Sequence, residues 1–112
     1  METIKLNIIP LIAPLPICHI SQNDTGRIID FELFENATPY SLSNTDVITL
    51  HLETPNQDYI TKAMTKSGSL ARLEIDEDIS SLAGSCYAKI NIKNTGKDIS
   101  SSLFIIEVEK AP

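Results

Sequence analysis

The chain has 112 residues, which fits one domain with one core and needs no disulfide staples, and its 42% hydrophobic and 21% charged content is too apolar for a disordered segment. A net charge of −6, with nine scattered basic residues, speaks against a phosphate-binding surface and so against nucleic acid as a partner. Cys18 and Cys86 form no Cys-x-x-Cys pair, which excludes a zinc ribbon or a dithiol redox motif; two buried thiols are expected, with a disulfide between distant strands left open.

The first twenty residues, METIKLNIIPLIAPLPICHI, are apolar enough to suggest a leader or a membrane span, but Pro10, Pro14 and Pro16 break any helix and Glu2 and Lys5 leave no basic leader. No membrane insertion is expected. A period of two then dominates, as in strands half buried in an antiparallel sheet. Ile4, Leu6 and Ile8 alternate with Thr3, Lys5 and Asn7 in a first strand that ends at Pro10, and an extended, proline-spaced arm follows to residue 20. Ile29, Phe31 and Leu33 alternate with Asp30 and Glu32 over residues 27 to 34. After the turn ENATPYSLSN, Ile48, Leu50 and Leu52 define the next strand.

Residues 58 to 66 carry a weaker strand pattern, and 69 to 75 place Ala71, Leu73 and Ile75 on one face. DEDISSLAGS is the one helical piece, acidic at its start, with Gly84 placed to end it; one short helical turn is expected near residues 76 to 83. Cys86, Ala88, Ile90 and Ile92 form another core face, and KNTGKD turns the chain into Phe104, Ile106 and Val108. About seven short strands with regular turn signals predict an all-β fold, an antiparallel β-sandwich with Greek-key connections, as a single domain over residues 1–112. The chain stops just after the last strand, as the N-terminal module of a longer protein would.

Asp24-Thr25-Gly26 is the triplet that carries the catalytic carboxylate of aspartic proteases. Such a dyad needs two buried carboxylates sharing a proton, whereas this triplet lies between Ser21-Gln22-Asn23 and Arg27, and no apolar supporting strand or glycine-rich flap accompanies it. A turn is expected, with Asn23 or Asp24 bonding forward to the backbone and Gly26 taking a positive φ. Cys18, His19, His51 and Cys86 offer soft metal ligands but no chelating pair at zinc spacing. Asp76, Glu77 and Asp78 lack the glycine and closing Glu of a calcium loop. Asn36-Ala37-Thr38 matches a glycosylation acceptor by chance, in a turn before Pro39. No catalytic residue, metal or cofactor is assigned.

The stretch ISQNDTGRIIDFELFENATPYSLSNTDVITLHLETPNQDYI, then LAGSCYAKINI and SSSLFIIEVEKAP, resembles the N-terminal domain of the phage baseplate upper protein family. In that family a QGDTGR-like turn leads into a strand, followed by a nGtpydLtgatv-like turn, an AGkYka-like strand start and a closing F.ieVeks. Asn23 and Ala37 stand where glycines are usual, and residues 53 to 75 match only loosely. The resemblance implies an immunoglobulin-like sandwich without catalysis. It also implies a structural adaptor, made in the bacterial host cytoplasm and resident in the virion, that attaches receptor-binding components to the distal tail. Its partners would be the distal tail protein and the receptor-binding protein of the same phage, and a homo-oligomer is allowed.

The alternative from another class is a carbohydrate-binding module contacting the host cell wall, but a chain without Trp and with three Tyr and three Phe has little ring surface for sugars. The residues expected to bind a partner are Leu11, Ile12, Leu15 and Ile17, apolar positions on a proline-stiffened segment that loses little entropy on docking; the alternative for residues 10 to 17 is a lid that crosses its own sandwich and covers one end of the core.

Overall fold

The computed structural model describes residues 2–8, 15–35 and 37–111; Pro10, Leu11, Ile12, Pro14 and the Asn36 acceptor lie outside them. Two sheets pack face to face. One contains β1 (Glu2–Asn7), β3 (Ile28–Glu35), β8 (Leu70–Glu74) and β7 (Thr65–Ser67) side by side in that order, with the two-residue β4 (Thr38–Pro39) beside β3. The other runs β2 (Ile17–Ser21), β11 (Phe104–Glu109), β9 (Gly84–Asn94), β5 (Val47–Glu53) and β6 (Tyr59–Ala63), with β10 (Lys97–Ser100) also beside β9. The chain changes sheet after β1, β2, β4, β6 and β8, so sheet neighbours such as β5 and β9 are distant in sequence, as in Greek-key sandwiches.

The all-β sandwich expected from the period of two is therefore present, with more strands than the seven read from the sequence. Two segments account for much of the difference. Residues 58 to 66 split at buried Met64, whose N–H donates to Ile48 O at 2.9 Å, and β6 and β7 on either side belong to different sheets. The first twenty residues likewise divide: Ile17 starts β2, which pairs with β11 in parallel, whereas β1 pairs with β3 in parallel in the opposite sheet. Among the described residues the one helix is α1 (Glu77–Ser80). Gly84 does not end it; Ser81 is the C-cap, and Gly84 opens β9 with φ 128°, where a side chain would press on the ring of Pro55.

β10 and β11 form one arm of a hairpin with β9. Asn91 pairs with Ser100 and Ala88 with Phe104, so three steps along β9 face four along the other arm, the signature of a β-bulge. The Ser101 hydroxyl accepts the Ile90 N–H while the Ser101 N–H bonds Ile90 O, which keeps the bulge's buried polar groups paired. The extra residue is what turns Phe104, and not Leu103, into the core. There its ring meets Phe31 of the opposite sheet, centroids 4.9 Å apart and planes at 47°, beside fully buried Leu33, Ile90 and Ile106.

Cys18 and Cys86 are both buried thiols. Each is the register partner of Ile106, on opposite sides, so they stand two strand spacings apart, about 10 Å, too far for a disulfide. Burial, with the nearby charge of Glu107, pushes the Cys86 thiol up to about 11.

Candidate docking surface

The Asp24 triplet forms the turn between β2 and β3. Asn23 and Gly26 take φ of 69° and 79°, the Asp24 carboxylate accepts the Ser21 N–H at 3.0 Å, and Arg27 Nε donates to the same oxygen at 2.6 Å. The side-chain bond thus runs backward along the chain, not forward. Ser21's amide and the Arg27 guanidinium hold the Asp24 carboxyl below its usual range, the reverse of what a shared-proton dyad requires. The turn is fixed to α1, with Ser80 Oγ donating to Asp24 O at 2.7 Å and Asn23 N donating to Ser80 O at 2.9 Å.

The soft ligands are dispersed as well. Exposed His19 lies 3.3 Å from Glu109, the two thiols face the core, and no group of three or more His, Cys, Asp or Glu among the described residues could hold a metal ion. Asp76 and Asp78, at the start of α1, both bind Lys62 Nζ, which ties β6 to that loop and raises the lysine's pKa.

The two outer faces of the sandwich differ in finish. On the β1-β3-β8 face, Asp30 breaks the expected alternation: it is only 3% exposed, because its cross-strand partner Arg72 covers it, with Nε to Oδ1 at 2.8 Å and Nη2 to Oδ2 at 3.0 Å. The guanidinium's hydrogen bonds lower the Asp30 pKa against the opposing effect of burial. Lys5 lies over the Phe34 ring at 5.8 Å on the same side.

The outer face of the other sheet carries a row that crosses five strands. Ile17 pairs with Ile105, Ile105 with Tyr87, Tyr87 with Glu53 and Glu53 with Tyr59. Ile17 is 48% exposed, Tyr87 44% and Tyr59 81%. A groove of about 210 Å³ runs beside the two tyrosines, floored by Leu52 and Ala88 and walled by Glu53, Lys89, His51 and Leu103.

Of the residues expected to bind a partner, Ile17 is thus in β2 and at one end of this row, and half-buried Leu15 lies just before it. Leu11 and Ile12 lie outside the described residues. Tyr59, Tyr87, Leu103 and Ile105 were not singled out as partner-binding from the sequence. The signal for the last two is there, since both are apolar on the non-core phase of the final strand; nothing local to Tyr59 or Tyr87 marks them as neighbours.

No protein-family model matches the chain, and no curated protein sequence does. Among solved structures, the N-terminal domain of phage TP901-1 ORF48 superposes with a TM-score of 0.72 at 15% identity, covering 98% of this chain and 100% of that one. The chain shares its fold with a phage protein domain. At that identity the likeness concerns the fold, and it falls on an N-terminal domain of a phage protein, the kind of domain to which the DTGR, TPYSL and AGSCYAK motifs point.

Proposed function

We propose that this domain is a structural adaptor of a phage tail baseplate, attaching receptor-binding components to the distal tail in the virion. The observation that carries the reading is the five-strand row: a β-sandwich whose one outer face is closed by its own ion pair leaves apolar and aromatic side chains in water on the other. The motif resemblance and the likeness to a phage N-terminal domain supply the setting. The partners are the distal tail protein and the receptor-binding protein of the same phage, and Leu11, Ile12, Leu15 and Ile17 belong to the contact.

The test is to mix the protein with its own phage's distal tail protein and measure mass in solution by light scattering. A Leu11→Ser/Leu15→Ser variant should keep its melting temperature and lose the complex; a variant that melts normally and still assembles would remove these residues from the contact, and a wild-type chain that never assembles would remove the adaptor reading.

The second reading, a carbohydrate-binding module, draws on Tyr59 and Tyr87 flanking one groove. It requires a cell-wall saccharide to protect those two rings.

A further inference from the structure

The six aromatic residues of the chain sort themselves by what covers their rings. Phe31 and Phe104 cover each other in the core. Phe34 and Tyr40 are each overlaid by a lysine of the same chain, Lys5 at 5.8 Å and Lys97 at 5.4 Å. Only Tyr59 and Tyr87 remain, both exposed and, among the described residues, without a ring contact or overlying cation. They share one cross-strand neighbour, Glu53, which has no side-chain hydrogen bond or ion pair among the described residues.

We propose that the Tyr59–Glu53–Tyr87 row is a receptor for one cationic side chain, best an arginine, projecting from an apolar strip of a partner protein that lies along Ile105 and Ile17. Two strand spacings separate the backbones of the two tyrosines, about 10 Å, so a cation above Glu53 is one spacing, about 5 Å, from each tyrosine's strand, a separation that matches the roughly 6 Å reach of cation–π attraction. A guanidinium fits this slot better than an ammonium because it is planar, stacks on rings and can donate two parallel bonds to one carboxylate. Lys89 does not fill it: its register partner is His51, one row away, and it forms no ion pair with Glu53. Charge selects the occupant over a second copy. Copies of a chain of net charge −6 repel each other, and a second copy brings the same unpaired carboxylate where a cation is wanted.

This deepens the docking reading and rests on it only for the partner being a protein; its test uses a peptide, so its failure is distinguishable from failure to bind the tail. Amide shifts of the ¹⁵N-labelled domain are followed while acetyl-Ser-Leu-Arg-Leu-Ser-amide is added, and again with the neutral citrulline counterpart. The arginine peptide should shift amides around Glu53, Tyr59, Tyr87 and Ile105, more weakly as salt rises. Citrulline should abolish the response, and Tyr59→Ala or Glu53→Gln should each weaken binding by about fivefold or more. Both positions are outside the core, so the variants keep their fold, which their spectra report directly. Four results overturn the proposal: equal binding of the citrulline peptide, no localised shifts, shifts of these amides on concentrating the protein alone, or their response to an N-acetylglucosamine oligomer and not to the peptide.

Discussion

The two outer faces of the sandwich are built on the same alternation and end in opposite states. On the β1-β3-β8 side the chain answers its own groups: Arg72 covers Asp30, and Lys5 covers Phe34. On the β2-β11-β9-β5-β6 side His19 meets Glu109 and Ser85 meets Glu107, but one row, exposed Ile17, Tyr87 and Tyr59 with half-buried Ile105 and Glu53, is left open. The contrast shows that an outward ring or carboxylate is not by itself a sign of function, since the closed face has both, already matched. What marks the Tyr59–Glu53–Tyr87 row of the open face is that, among the described residues, its rings and carboxylate have no matching group.

The comparison can be broken by perturbation. The largest effect should come from the core that both faces share: Phe104→Ala removes the ring that meets Phe31 across the sheets and should cost about 3–5 kcal/mol by urea denaturation. A tolerant Phe104 would mean that the bulge at residues 101 to 103 does not set the register.

Next comes the closed face. Arg72→Met leaves a buried carboxylate without its partner and should lower the melting temperature by several degrees at pH 7. The sign of the pH dependence follows from the lowered pKa of Asp30: the pair stabilises the fold above the ordinary carboxylate value of about 4, and this contribution is lost as pH falls through the lower folded value. Asp30→Asn should therefore be less stable than the wild type at pH 7, with the gap closing in acid; a gap that widened below pH 4 would contradict the assignment. Asp46 behaves alike. Burial alone would raise its pKa, but Lys97 Nζ, the Ser43 N–H and Asn94 outweigh that and hold it low.

A smaller cost, still above about 1 kcal/mol, is expected for Gly84→Ala, which forces a side chain onto φ 128° and sets its Cβ 3.1 Å from Pro55 Cβ. The smallest is Tyr59→Ala on the open face, within about 0.5 kcal/mol of the wild type. If Tyr59→Ala destabilised as much as the closed-face changes, the ring would be serving the fold and the two faces would not differ in kind.

The core was legible in the sequence because it depends on local phase alone. Ile29, Phe31 and Leu33, or Cys86 to Ile92, announce which side is buried whatever strand lies next to them. The burial of Asp30 is not legible in the sequence, because it depends on Arg72, 42 positions away, being its register partner. The splitting of residues 58 to 66 between two sheets was hidden for a similar reason, since buried Met64 keeps the apolar pattern going through the break. At the candidate docking surface, the proline-rich neighbourhood of Ile17 is visible in the sequence, while the adjacency of Tyr87, Glu53 and Tyr59 exists only once three strands from different parts of the chain are aligned.

The parallel pairing of β2 with β11 also sets an order of events during synthesis. β1 meets its neighbour β3 within the first 35 residues, but β2 is an edge strand whose one sheet neighbour among the described residues ends at Glu109. β2 therefore has no β11 to dock against until almost the entire chain has left the ribosome, and long-range closures of this kind are slow steps in β-sandwich folding. The same late step brings Ile17 beside Ile105, so the apolar half of the open face comes into being only when the last strand has docked, and a truncated chain cannot present it.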